Sequence, residues 1–281
     1  MVRFLNGEFV EDGRKAAVSP DDRGFLFGDG AYEVVAFYGG RPFGMEAHFK
    51  RFHRSLSELR IDPPDPAELK RLAPEMVRRN GMEGQDCLFY VQCTRGVAPR
   101  THYFPDPSVP PTLYASVSEF NRPIEPGEKG VSISLFPDIR WLRCDVKSIN
   151  LLPNVLARQQ AREAGSEEGV FVRDGVVTEG THSNLFAVFP DRLSTHPSNQ
   201  LILSGITRAT VLKICSEMGL AVEERAITRR ELFDAREVFL AGTTVEIMPV
   251  VEIGGRQVDR GRPGEITGRI RRAYLETVGA V

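Results

Sequence analysis

No stretch of this chain approaches the roughly 18 consecutive apolar residues of a membrane-crossing helix. Residues 2–10 read as a strand hairpin around Asn6-Gly7, without the shape of a signal peptide, so the cytoplasm is the default location. Cysteine is sparse: Cys87, Cys93, Cys144 and Cys215 form no C-x-x-C pair and read as reduced core residues, not disulfides or metal ligands. Neither sign of charge dominates. The 36 basic and 38 acidic residues leave a formal net charge of -2 and are interspersed, which gives no footing to nucleic acid or an anionic membrane. Low-complexity tracts and internal repeats are missing, and no metal site is expected.

Lysine is scarce as well, at 6 residues against 30 arginines. Five of the six sit in polar, surface-like surroundings, whereas Lys147 lies in the apolar stretch CDVKSINLL, read as a strand end followed by a turn. Arginine stays charged in proteins, but a partly buried lysine can lose its proton and act as a nucleophile or Schiff-base amine. Lys147 is therefore the candidate catalytic residue. The competing reading is a surface lysine with its stem laid over apolar neighbours.

Three later segments bear on that choice. Asp174-Gly175 is a hairpin signal between two apolar runs, and it puts Glu179 at a strand end beside the small polar residues of Gly180-Thr181-His182-Ser183-Asn184. ILSGITR leads into a helix over 209–219, with Ser204 or Gly205 as N-cap. Free N–H groups and the Thr207 hydroxyl there suit a phosphate. FLAGTTVE reads as a buried strand ending at Thr243 and Thr244, a second phosphate contact. Each feature alone is common in α/β proteins. Together they supply an amine, a carboxylate and two phosphate cradles, the set that pyridoxal 5′-phosphate requires.

The ordered motifs RGFLFGDGAYEVV, TRGVAPRTHYFP, RCDVKSINLLPNVLARQQARE, VTEGTHSN, ILSGITR and GTTVEIMPV resemble the fold-type IV pyridoxal-phosphate enzymes. That family holds branched-chain and D-amino-acid aminotransferases and aminodeoxychorismate lyase, and the D-amino-acid aminotransferases are nearest in pattern. The resemblance runs from FLNGEFV to EIMPVVEIGG. It implies a two-domain α+β architecture with the active site in the inter-domain cleft, and a homodimer. It implies that Lys147 carries the cofactor and shuttles the proton, and that Glu179 pairs with the pyridine nitrogen. Arg51 would bind the phosphate, completed by Gly205, Ile206, Thr207, Thr243 and Thr244. Leu203 would pack on the ring, and Arg140 would stand near its phenolic oxygen.

The same resemblance assigns the substrate α-carboxylate to Arg100 and His102, reaching from the neighbouring subunit, together with Tyr32. A guanidinium fork suits a carboxylate in any case. The chain departs from the pattern at Thr181-His182-Ser183, where those aminotransferases usually carry serines, so the hydrogen bonding behind the cofactor is expected to differ. The implied activity is ping-pong transamination between an amino acid, expected to be a D-amino acid, and a 2-oxo acid. The alternatives are the lyase, which releases pyruvate to form 4-aminobenzoate, a branched-chain or amine transaminase, and a non-catalytic binding protein.

In layout, residues 1–120 are expected to form a small α+β domain and 121–281 a larger cofactor-binding one, joined by a linker at 118–130. A helix with the apolar stripe Met45, Phe49, Phe52, Leu56 and Leu59 is followed by a second over 66–80, and strands are expected over 31–38, Cys87–Thr94 and 112–117. A strand over 131–136 opens the second half, and a helix over 265–278 ends the chain.

Overall fold

A computed structural model of the chain describes residues 1–11 and 16–280. The chain divides into two compact units, Met1–Asn121 with Val146–Leu151, and Arg122–Asp145 with Leu152–Val281.

The first unit is an antiparallel sheet with three helices. Its elements are β1 (Arg3–Leu5), β2 (Glu8–Val10), α1 (Arg23–Phe27), β3 (Gly30–Tyr38), β4 (Arg41–Pro42), α2 (Met45–Glu58), α3 (Pro66–Arg79), β5 (Cys87–Thr94) and β6 (Thr112–Glu119). The strands order as β2-β1-β6-β5-β3-β4. Asn6 and Gly7 both take positive φ, 49° and 91°, which lets a two-residue turn match the strand twist and pair Leu5 with Glu8. The expected stripe of α2 is the buried face: Phe49, Phe52 and Leu56 meet Leu69, Leu72 and Met76 of α3 and Val35, Phe89 and Val91 of the sheet. Each such side chain contributes about 1.5–3 kcal/mol on burial. Asp65 caps α3 through Ala67 N–H, with Pro66 at the first position where its missing donor costs nothing.

The second unit comprises α4 (Ile124–Lys129), β7 (Val131–Pro137), α5 (Leu152–Glu163), β8 (Glu168–Arg173), β9 (Val176–Gly180), β10 (Asn184–Val188), β11 (Leu193–Thr195), α6 (Ile206–Glu217), β12 (Val222–Glu224), β13 (Ile227–Thr228), α7 (Arg229–Leu232), β14 (Glu237–Gly242), β15 (Glu246–Ile253), β16 (Arg256–Gln257) and α8 (Glu265–Thr277). Nine strands order as β12-β11-β10-β14-β15-β7-β8-β9-β13, and β16 pairs with β15. The central strands β10, β14 and β15 are buried along nearly their whole length, as their unbroken apolar runs require. Phe186 and Phe239, opposite each other in register, stack at 4.8 Å. Among the described residues no helix is long and apolar enough to cross a membrane.

Three expectations need correction. Residues 118–130 are not a plain linker, because β6 continues to Glu119 and α4 follows. Pro123 and Gly130 bracket that helix as its caps, and Pro126 lies in its first turn, where an N–H has no partner to lose. Lys147 is not at a strand end. Val146–Leu151 is irregular and belongs with the first unit, held along the start of β3 by Tyr32 N–H to Lys147 O (3.0 Å), Ile149 N–H to Gly30 O (3.0 Å) and an isolated bridge from Ala31 to Ser148. The helix expected over 209–219 starts earlier, at Ile206, with Gly205 as its N-cap.

Candidate active site

In the first unit the backbone of Lys147 is fixed by its carbonyl contact to Tyr32 and by Ser55 Oγ, which accepts from Lys147 N–H at 3.1 Å. The side chain is half-buried, with Nζ 4.2 Å from the centroid of the Tyr32 ring. Among the described residues the amine has no carboxylate partner, an unusual condition for a lysine this sheltered and a suitable one for a nucleophile. Tyr32 in turn stacks on Tyr90 at 5.7 Å.

Arg51 is buried and forked onto Glu33, with Nε to Oε2 at 2.9 Å and Nη2 to Oε1 at 2.8 Å. His48 Nδ1 lies 3.0 Å from the same Oε1. Burial alone would lift the Glu33 carboxyl, but the charges of Arg51 and His48 outweigh it and hold the group well below the usual carboxylate range. His48 is pushed down by burial, against the pull of Glu33. Sequence reading missed both residues. Glu33 was detectable as the one charge inside the run AYEVVAFY, and His48 as the residue three before Arg51 on the same helical face. Arg100 and His102 are exposed and share one support, the Phe27 ring, at 5.2 Å from the guanidinium carbon and 5.8 Å between ring centroids.

In the second unit Glu179, at the end of β9, is the centre of a closed polar cluster. Its Oε1 accepts from Arg140 Nη1 at 2.5 Å, and its Oε2 accepts from Leu203 N–H at 3.0 Å and Asn184 Nδ2 at 3.1 Å. Asn184 also donates to Leu203 O at 2.9 Å, so one side chain ties the carboxylate to the segment before α6. Arg140 is itself gripped by Asp138 at 2.9 Å and lies over Phe171 at 4.4 Å. Burial nevertheless dominates Glu179 and raises its carboxyl to about 7, with Arg140 only partly offsetting it.

That shift has a sign in stability. A folded-state value above the ordinary 4.5 means the protonated form is favoured by folding, so its contribution is full below about pH 4.5 and lost as pH rises through 7. The loss approaches about 3 kcal/mol. In cofactor-free protein, Glu179→Gln should therefore gain stability relative to wild type between pH 4.5 and 8, measured as urea midpoints. A difference that stays constant across that range would contradict the burial argument.

The segment before α6 is built for close approach. Gly205 leaves the helix N-terminus without a side-chain cap, and a Cβ there would collide with Asn184 Oδ1. Among the described residues the N–H groups of Ile206 and Thr207 have no hydrogen-bond partner outside the helix, the condition in which a helix start can take an anion. Thr243 and Thr244 form the half-buried turn between β14 and β15. Thr244 also lines a cavity of about 200 Å³ with His182, Glu168 and Arg158. His182 Nδ1 is 2.7 Å from Glu168 Oε2, and the hydroxyls of Thr181 and Ser183 turn to the same carboxylate. Burial acts to raise Glu168, but His182 and Thr181 hold it at about 2. The departure at His182 thus has a partner, Glu168, that the sequence reading did not single out. Cys144 donates to Trp141 O at 3.2 Å and burial pushes its thiol up to about 11, which leaves it a packing residue.

Residues 30–253 match the model of the amino-transferase class IV family. The chain belongs to the class IV aminotransferases. It is 42% identical over 276 residues to the D-alanine aminotransferase of Bacillus licheniformis, covering 98% of this chain and 96% of that one. Its fold is similar to the branched-chain amino acid aminotransferase of Escherichia coli, with a TM-score of 0.90 and 26% identity over 100% of this chain and 95% of that one. It is also similar to the T.th. branched-chain amino acid aminotransferase solved with pyridoxamine 5′-phosphate, with a TM-score of 0.88, 29% identity and the same coverage. As a class IV aminotransferase the chain is a pyridoxal-phosphate enzyme of the fold-type IV α+β class, which removes the non-catalytic alternative. Its own residues fit that cofactor: an unpaired amine at Lys147, a buried acid at Glu179, and an uncapped helix start where a Cβ would intrude.

Proposed function

We propose that this aminotransferase moves the amino group of a D-amino acid to a 2-oxo acid. The observation that carries the reading is the side-by-side projection of Arg100 and His102 from one loop over Phe27, which suits a carboxylate trap. Near full-length identity of about 40% to D-alanine aminotransferases supports the same substrate class.

When bound, pyridoxal phosphate supplies an aldehyde that joins amines and a ring that accepts the electron pair released at the substrate α-carbon. Lys147 would hold the group through its Nζ, and that amine, once released, would carry the substrate's α-proton. The Glu179 carboxylate holds a proton at the ring nitrogen, while Arg140, Asn184 and the Leu203 N–H orient it. Arg51, the N–H groups of Ile206 and Thr207, and Thr243 and Thr244 hold the phosphate. Gly205 gives that group room, and Leu203 covers the ring. Arg140, held by Asp138 and Glu179, would also offer its charge to the phenolic oxygen. Tyr32 with Arg100 and His102 binds the carboxylate and fixes which α-hydrogen faces Lys147.

The reading includes a homodimer in which Arg100 and His102 serve the neighbouring copy's site. Exposed apolar side chains in the second unit support it: Leu152, Val155 and Leu156 lie at helical spacing on α5, and Ile139 and Leu142 are more than 60% exposed. Initial rates on D- and L-alanine and D- and L-leucine with a 2-oxo acid test the proposal. D-isomers should lead, and Arg100→Ala should weaken their use by about 1.5–3 kcal/mol, roughly 10- to 150-fold in kcat/KM. An L preference, or unchanged amino-acid kinetics in Arg100→Ala, would favour a branched-chain transaminase. Pyruvate release without an acceptor would favour the lyase.

A further inference from the structure

Arg100, Thr101 and His102 are exposed, as is every neighbour from Pro99 to Phe104. A loop of that kind ordinarily samples many positions, yet a carboxylate trap needs its donors placed within a fraction of an ångström. Something must hold the tip. Among the described residues, its hydrogen-bond tie to the interior is a single one: Arg23 Nη1 donates to Thr101 O at 2.7 Å, on the residue between Arg100 and His102. Arg23 is only 4% exposed and does not stand alone. Its Nε donates to Asp29 Oδ2 at 2.9 Å, and Arg95 closes on the same carboxylate from the other side, Nε to Oδ2 at 2.8 Å and Nη2 to Oδ1 at 3.0 Å.

Arg95 gives two further donors to the carbonyls just after α2, at Arg60 O (2.8 Å) and Leu59 O (2.7 Å), and its guanidinium lies 3.7 Å from the centroid of Phe104. The base of the loop is pinned to the same region by Arg23 N–H to Gly96 O at 2.9 Å and Ala98 N–H to Asp21 O at 3.2 Å. Gly96 takes φ +97°, and a Cβ there would collide with Pro110 O, so the loop leaves β5 by a route only glycine permits. Burial acts to raise the Asp29 carboxyl, but Arg95 and Arg23 keep it below its ordinary value and hence ionised.

We propose that Asp29 is a positioning residue for the substrate carboxylate: it locks Arg23 and Arg95 so that Arg23 holds Thr101 and thereby aims Arg100 and His102. The inference rests on the carboxylate role of Arg100 read above. Two guanidiniums share one carboxylate, so neutralising it leaves like charges facing each other and loosens the Thr101 tie. Phe27 follows from the same device, since its ring carries Arg23 at 4.8 Å as well as Arg100 and His102.

The test is a double-mutant cycle of Asp29→Asn and Arg100→Ala in the cofactor-loaded enzyme, with D-alanine as donor. Asp29→Asn alone should raise KM roughly tenfold, with kcat held within about threefold, because misaim costs binding of the carboxylate. Added to Arg100→Ala, it should raise KM much less than tenfold, by only the part that acts through His102. Cofactor affinity, read from visible absorbance on titration, should not move. The same fold-rise in both backgrounds, or a loss of cofactor affinity that accounts for the change, would assign Asp29 a general structural role and overturn the inference. Should Asp29→Asn fail to fold, Arg23→Lys keeps a charge beside Asp29 while shortening the reach to Thr101. It should raise KM by about threefold or more, and an unchanged KM there overturns the proposal equally. An Arg100→Ala enzyme with wild-type KM would instead sink the carboxylate reading itself, and the inference with it.

Discussion

Glu179→Gln should keep the cofactor bound and slow transamination by roughly a thousandfold. Alone in its buried site the Glu179 carboxyl titrates near 7, because burial outweighs the Arg140 contact. With Glu179 as the proposed ring partner, a protonated pyridine nitrogen beside it would supply the positive charge that favours the ionised form, and the ionised form would in turn hold that proton on the ring. An amide gives up most of this mutual stabilisation. About three pKa units at the ring nitrogen correspond to roughly 4 kcal/mol, the source of the thousandfold figure. The surroundings add to the loss, since Leu203 N–H, Asn184 Nδ2 and Arg140 Nη1 all donate inward and a glutamine NH2 would oppose one of them. Single-turnover rates with D-alanine would read it. Turnover within about fivefold of wild type would show that Glu179 is not the ring partner.

Lys147→Ala should lower turnover by about a thousandfold or more, since positioned proton transfer contributes roughly 10²–10⁴ and the covalent hold on the cofactor goes with it. Replacement leaves the Tyr32–Tyr90 stack and the strip Val146–Leu151 in place, because the strip's ties run through its backbone. The variant should therefore fold, and a small primary amine added to it should restore part of the rate. Wild-type kinetics in Lys147→Ala would contradict the assignment.

Local signals in the sequence were direct where one short-range force decides. Asn6-Gly7 and Asp174-Gly175 both fold as positive-φ turns, and the α2 stripe is the buried face of that helix. Lysine scarcity drew attention to Lys147, whose amine has no carboxylate partner among the described residues, and the GIT segment lies at the start of α6. What escaped depends on distance along the chain. The Glu33–His48–Arg51 cluster joins β3 to α2, the Asp29 clamp joins residues 66 apart, and Glu168 meets His182 across 14 positions. No periodicity announces which partner each takes, because even a residue that stands out locally, such as Glu33 inside AYEVVAFY, does not name the distant side chain it meets. The placement of 146–151 with the first unit failed for a related reason: it is fixed by bonds to β3 and Ser55, more than 90 positions away, and not by its own propensity. Residues 118–130 do hold the change of unit, after Asn121, but they also carry a helix, because proline and glycine serve helix ends as readily as loops.

The central claim is that Lys147 carries the cofactor, and borohydride reduction of the wild-type holoenzyme followed by peptide mass mapping tests it most directly. The account predicts one reduced phosphopyridoxyl adduct per chain, on the peptide containing Lys147. An adduct on any of the other five lysines in its place, or no adduct after reconstitution with pyridoxal 5′-phosphate, would contradict it.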